Sequence, residues 1–187
     1  MNKHLKNLLA DYLKQVLRKP LSSSEILDTY EIAVIYAYTD DRYEALNERL
    51  RKNLGQLDTD FGQELDNILA KLPNFEGRVV KGTSLNNRRL ASYEDAFKNN
   101  EFVTHHAFES TSKSELRAKE FMRNSKTDNQ VLFVIFSKYG KDIEKYSKYD
   151  GLSGPNEREV LFRANSQFEV VGIDTSNNFI TITLNEI

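Results

Sequence analysis

Val131-Leu132-Phe133-Val134-Ile135-Phe136 is the stretch on which the fold turns. Six apolar residues in a row leave no polar face, so the segment reads as a strand covered on both sides at the centre of a sheet. Working outward, Glu159 to Arg163, Phe168 to Ile173 and Phe179 to Leu184 read as further strands. The last alternates Ile180, Ile182 and Leu184, as a half-covered sheet demands. Upstream, Arg78-Val79-Val80-Lys81-Gly82 is a short apolar run stopped by glycine, and Ala107 to Ser112 is a strand leading into a turn. Ser112 and Glu115 have capping-box spacing for a helix over about 113–124.

The first 72 residues carry a different period. Leu5, Leu8, Leu9, Tyr12, Leu13, Val16 and Leu17 recur at intervals of three and four and stop before Pro20. Ser22-Ser23-Ser24-Glu25 is the expected cap of a second helix through Ile32, Ile35 and Tyr36. Thr39-Asp40-Asp41 is expected to restart the chain into a third, with Tyr43, Leu46, Asn47 and Leu50. A fourth spans about 58–72 and ends at Pro73. Helices followed by strands predict an α+β domain over 1–187, with a helical part at 1–72 and a strand-rich core at 73–187.

Bulk properties narrow the chemistry. The 187 residues are 39% hydrophobic and 29% charged, with a net charge of −2. That balance offers no general attraction for nucleic acid or anionic lipid. With no cysteine, thiolate catalysis and cysteine metal sites are excluded. His105-His106 point opposite ways in a strand, with no acid at a spacing that completes a metal site. The start lacks the apolar run of a signal peptide, and no segment approaches the roughly 20 apolar residues that cross a bilayer. The first helix carries lysines at 3, 6, 14 and 19, which could meet a membrane or partner, but its stripe is expected to pack on the domain.

Chemistry concentrates in Gly154-Pro155-Asn156-Glu157-Arg158-Glu159. In an extended chain Glu157 and Glu159 share a face and repel, so the pair needs a reason or is the solvent face of an edge strand. Three other blocks accompany it: Ala33-Val34-Ile35-Tyr36-Ala37-Tyr38-Thr39 with Tyr43 and Asn47, Arg78-Val79-Val80-Lys81-Gly82-Thr83, and Phe108-Glu109-Ser110-Thr111-Ser112. In this order they resemble the bacterial mono-ADP-ribosyltransferase toxins of the arginine, serine, glutamate class.

The resemblance implies a split sheet of two packed halves, with NAD as co-substrate in the cleft between them, helices in front and no metal. It implies that Glu159 contacts the nicotinamide ribose and stabilises the positive charge that develops as the glycosidic bond breaks. Glu157 would deprotonate the acceptor, and glutamate at this place goes with arginine as acceptor. Ser110 would orient the ribose. Gly82 would offer its backbone to the nicotinamide amide. The loop 138–156 would face the target protein, with Tyr146 and Tyr149 as its recognition residues. Tyr38 and Tyr43 are expected in the core, with the adenosine pocket as the other reading.

The departure from the pattern is Lys81, where arginine is usual. Lysine presents one compact charge to NAD phosphate or ribose in place of a planar fork. Arg78, Arg88 or Arg89 could compensate; otherwise the domain is a weak or inactive interaction module. The implied protein is a monomeric NAD-dependent protein-arginine ADP-ribosyltransferase. It would be secreted or injected without a signal peptide, act in the cytoplasm of a target cell, and have an immunity protein as a further partner.

Overall fold

The computed structural model describes residues 3–19, 26–124, 129–152 and 154–187. Helices α1 (Lys3–Leu8) and α2 (Ala10–Val16) carry the first stripe, with Leu5, Leu9, Tyr12 and Val16 buried. The cap expected at residues 22–25 lies outside the described residues. Helix α3 (Thr29–Ala37) is capped by Asp28, whose side chain accepts from the Glu31 amide while Glu31 accepts from the Asp28 amide. Such reciprocal capping satisfies two otherwise orphaned donors. Every residue of α3 from Glu31 to Ala37 is buried, so it is the central helix of this part.

No break follows at Thr39. The chain passes through a π-helical turn, Tyr38–Arg42, directly into α4 (Tyr43–Lys52). The expected restart is therefore one continuous helical run with an inserted residue. Helix α5 (Asp60–Lys71), capped by Thr59, ends where Pro73 requires.

The strands are β1 (Asn74–Leu85), β2 (Phe102–His105), β3 (Glu109–Ser112), β4 (Asn129–Asp142), β5 (Glu159–Phe162), β6 (Ser166–Asp174) and β7 (Ile180–Glu186). One half is the run β1-β4-β7-β6-β2, in which β1 pairs antiparallel with β4 from Asn74↔Lys141 to Leu85↔Asn129. The other is the short antiparallel pair β3-β5, tied to β1 at Val80↔Ser112 and to β4 at Lys141↔Leu161. The split sheet is thus hinged on β1 and β4. Val79, Phe133, Ile135, Val160, Phe162, Phe168, Ile182 and Leu184 fill the space between the halves. Phe136 is 47% exposed, so full coverage of β4 stops before its expected end.

Two further helices complete the fold. Helix α6 (Asn87–Asn99), absent from the sequence reading, is capped by Asn86 and buries Tyr93 and Ala96. Helix α7 (Glu115–Asn124) packs on β1 through Ala118 and Met122. The expected capping box does not form: Ser112 Oγ accepts from the amide of Ser114, one residue before the helix, and Glu115 pairs with Lys119 and Arg78. On the front, α2 to α5 form a second core that includes Phe108, Ile143, Tyr146 and Leu161.

Candidate active site

A cleft of about 750 Å³ opens where α4 and the π-helical turn face the ends of β1, β3 and β5. The turn and α4 present Tyr38, Tyr43, Asn47 and Arg51; β1 presents Lys81 and Gly82; β3 presents Glu109 and Ser110. Glu157 and Glu159 complete the wall.

Glu159 begins β5 and is 4% exposed. Burial pushes its carboxyl up to about 7, opposed by hydrogen bonds from Ser110 and Ser147 and assisted by the nearby Glu157 charge. The Ser147 hydroxyl donates to Glu159 Oε2 at 3.2 Å. The Ser110 side chain lies within hydrogen-bonding reach of both Glu159 and the Tyr38 phenol. That phenol is fully buried, accepts from Asn47 Nδ2 at 3.0 Å, and has its pKa raised by burial. Tyr38 is therefore core and site wall at once.

The two acids do not alternate along one strand. Glu157 precedes β5, and Arg158 between them has φ +51, so the chain turns there. Glu157 is fixed by its backbone: its carbonyl accepts from Ser112 Oγ at 2.5 Å and its amide donates to the Tyr149 carbonyl at 3.0 Å. Burial raises its carboxyl, with Arg117 opposing. The expectation of a shared face is replaced by a turn that nonetheless leaves both acids on one cleft.

Lys81 is committed within the protein. Its ammonium lies 2.9 Å from Glu109 Oε1 and donates to the Ser110 carbonyl at 3.1 Å. On Glu109, burial is outweighed by Lys81 and His105, which hold its carboxyl below the ordinary range. His105 continues the chain, with Nε2 2.7 Å from the Tyr93 hydroxyl and Nδ1 3.4 Å from Glu109 Oε2. His106 turns away to Asn165 at 3.1 Å.

Gly82 owes its identity to a different contact from the one expected. A Cβ there would lie 1.6 Å from the Ala118 carbonyl oxygen, so the missing side chain admits α7, while the backbone still lines the cleft. Tyr149 is half-buried on the cleft wall. Tyr146 is 1% exposed within the front core, so it packs the domain and cannot present its ring to a target protein. Lys19 turns inward too, towards Asp150.

The site also contains residues that the sequence reading did not place there: Arg51, Tyr93, His105, Glu109 and Ser147. Among the described residues, Asn47 Oδ1 is buried without a hydrogen-bond partner, and Asn47 lines the cleft. Buried polar atoms are nearly always paired, so this acceptor suits a polar ligand in that volume. Arg51 and Arg89 line the same cleft and suit an anionic portion of it.

This architecture is shared with solved ADP-ribosyltransferases. Vis from Vibrio splendidus superposes with a TM-score of 0.70 at 21% identity, over 100% of this chain and 86% of that one. HopU1 of Pseudomonas syringae gives 0.68 at 21%, over 100% and 83%. Exoenzyme S from Pseudomonas aeruginosa, solved bound to carba-NAD, gives 0.70 at 20%, over 97% and 88%. These likenesses establish the fold.

Sequence narrows it further. The family described as "ART: NAD:arginine ADP-ribosyltransferase" matches residues 10–187. Putative NAD(+)--arginine ADP-ribosyltransferase Mav of Mycobacterium avium is 35% identical over 78% of this chain, and NAD(+)--protein-arginine ADP-ribosyltransferase Tre1 of Serratia proteamaculans is 30% identical over 88%. The chain belongs to the NAD:arginine ADP-ribosyltransferase family. It spans 16% of the length of Mav and 33% of Tre1.

Proposed function

We propose that this chain transfers ADP-ribose from NAD to an arginine of a target protein, as a toxin or effector working inside another cell. The observation that carries the reading is the buried Glu159 carboxylate beside the Ser110 side chain, with Glu157 on the same cleft wall. Family membership and the curated relatives support arginine as acceptor.

The roles follow from chemistry. As the bond between ribose and nicotinamide breaks, its electron pair leaves with nicotinamide and positive charge grows on the sugar. An ionised Glu159 opposite that carbon is worth most at this moment, because the charge it meets is absent from the ground state. Ser110 orients the ribose and keeps the carboxylate in place. An arginine nitrogen then forms the new bond to the same carbon. It is a poor nucleophile while protonated, and Glu157 accepts its proton. Lys81 holds β3 and offers its remaining donor to NAD phosphate or ribose, Arg51 and Arg89 assist, and the Gly82 backbone meets the nicotinamide amide. Tyr149 borders the acceptor.

The test is incubation of the protein with labelled NAD and a cell lysate beside Glu159→Ala. Label on protein that falls at least about a hundredfold in the variant supports the reading. Neither transfer nor NAD consumption by the wild type would establish a non-catalytic relative instead.

A further inference from the structure

The helical front reaches the reacting carboxylate through a buried chain of contacts. Lys19 follows α2, and its side chain is 13% exposed. Its ammonium lies 2.7 Å from Asp150 Oδ2, donates to the Ser147 carbonyl at 2.8 Å, and stands 4.6 Å over the Tyr36 ring. The Asp150 side chain is 5% exposed, so the pair bridges 131 residues of sequence away from solvent. A desolvated pair persists only with well-fixed geometry and further hydrogen bonds, and both are present.

Ser147, at the other end, is fully buried. Its hydroxyl has one proton, which goes to Glu159 Oε2, and it accepts from the Tyr149 amide at 3.1 Å. Its backbone is gripped by Lys19 on one side, and next to it the Lys148 amide donates to Thr39 Oγ1 at 2.9 Å while Lys148 Nζ pairs with Asp40. The segment 147–150 is therefore clamped to Lys19, after α2, and to the π-helical turn. Removing the clamp frees the carbonyl of the residue whose hydroxyl orients the carboxylate.

Resting on the reading of Glu159 as the group opposite the sugar, we propose that Lys19 and Ser147 form a positioning relay through which the segment after α2 sets the orientation of the Glu159 carboxylate. Neither residue touches substrate. The amphipathic start of the chain thereby acquires a role in the reaction beyond packing.

Steady-state kinetics of NAD hydrolysis across pH test it with Lys19→Met, Ser147→Ala and the double variant. The groups facing Glu159 are Ser110 and Lys81 from the sheet, Tyr38 from the helices, and Glu157 and Ser147 from the loop. Losing the Ser147 donor disfavours the charged carboxylate, so the acid limb moves to higher pH. Both single variants are expected to lower kcat about tenfold, leave KM for NAD within about twofold, and shift that limb upward. The double variant should be no worse than the poorer single one. A folded Lys19→Met with the wild-type kcat and acid limb overturns the relay, even if Ser147→Ala is impaired. If Lys19→Met does not fold, Asp150→Asn decides by the same two readouts, an unmoved limb and kcat overturning the proposal. A wild type that consumes no NAD refutes the enzymatic reading itself, a result distinct from these.

Discussion

Lys81 Nζ stands 2.9 Å from Glu109 Oε1, so the cation that replaces the usual arginine is matched by an acid on the neighbouring strand. Removing one member of a largely buried pair strands the other. Lys81→Met is therefore expected to destabilise the fold by about 1 to 3 kcal/mol, with partial recovery in Lys81→Met/Glu109→Gln. Urea unfolding of the wild type, both single variants Lys81→Met and Glu109→Gln, and the double variant checks this, and a double variant no more stable than Lys81→Met would refute the coupling.

Glu159 ties activity and stability to pH in opposite senses. Its carboxyl is raised from 4.5 to about 7, so the ionised form that the proposed role opposite the sugar requires gains population as pH rises through about 7. The rate of NAD hydrolysis should climb with an acid limb near that value. For stability the sign reverses: a raised acid favours folding fully below pH about 4.5, and that contribution is lost as pH rises through about 7. Glu159→Gln should thus stabilise the protein at pH 8 by on the order of 2 to 3 kcal/mol and much less at pH 4.5. Thermal unfolding at the two pH values reads the difference.

Glu157→Gln keeps the shape of the side chain but removes the proposed base. Arginine modification is expected to fall by about a hundredfold or more while NAD hydrolysis persists, because water needs no deprotonation of a guanidinium. Parallel measurement of free and protein-bound ADP-ribose separates the two; equal losses would remove Glu157 from the acceptor step.

Gly82→Ala should damage the fold before it damages chemistry. The added carbon would meet a backbone oxygen at 1.6 Å, with no flexible side chain able to yield, so α7 must move off β1. A loss of about 3 kcal/mol or more is expected, measured by chemical denaturation.

What could be read from sequence was whatever local period or adjacency carried. Val131 to Ile135 and the alternation of Ile180, Ile182 and Leu184 announced strands because coverage by neighbours sets the pattern directly. Glu159 and Ser110 announced themselves through short blocks whose order survives folding. Helix α6 escaped because it buries only Tyr93 and Ala96, too narrow a stripe to stand out among polar residues. The pairing of Glu109 with Lys81 joins positions 28 apart in sequence, and Ser147 meets Glu159 only after the loop folds back. Neither contact has a local signature. The resemblance puts Tyr146 in a recognition loop, whereas its burial in the front core depends on where α2 to α5 come to rest.

The extra residue at Tyr38–Arg42 has a rotational effect on everything after it. One residue turns a helix by about 100°, so the insertion sets which stripe of α4 faces the cleft. Tyr43, Asn47 and Arg51, spaced four apart, are that stripe. Shortening the turn by one position would leave a helix of equal length and propensity whose ligand-facing wall had been swung aside, making the cleft's front a matter of phase as much as of composition.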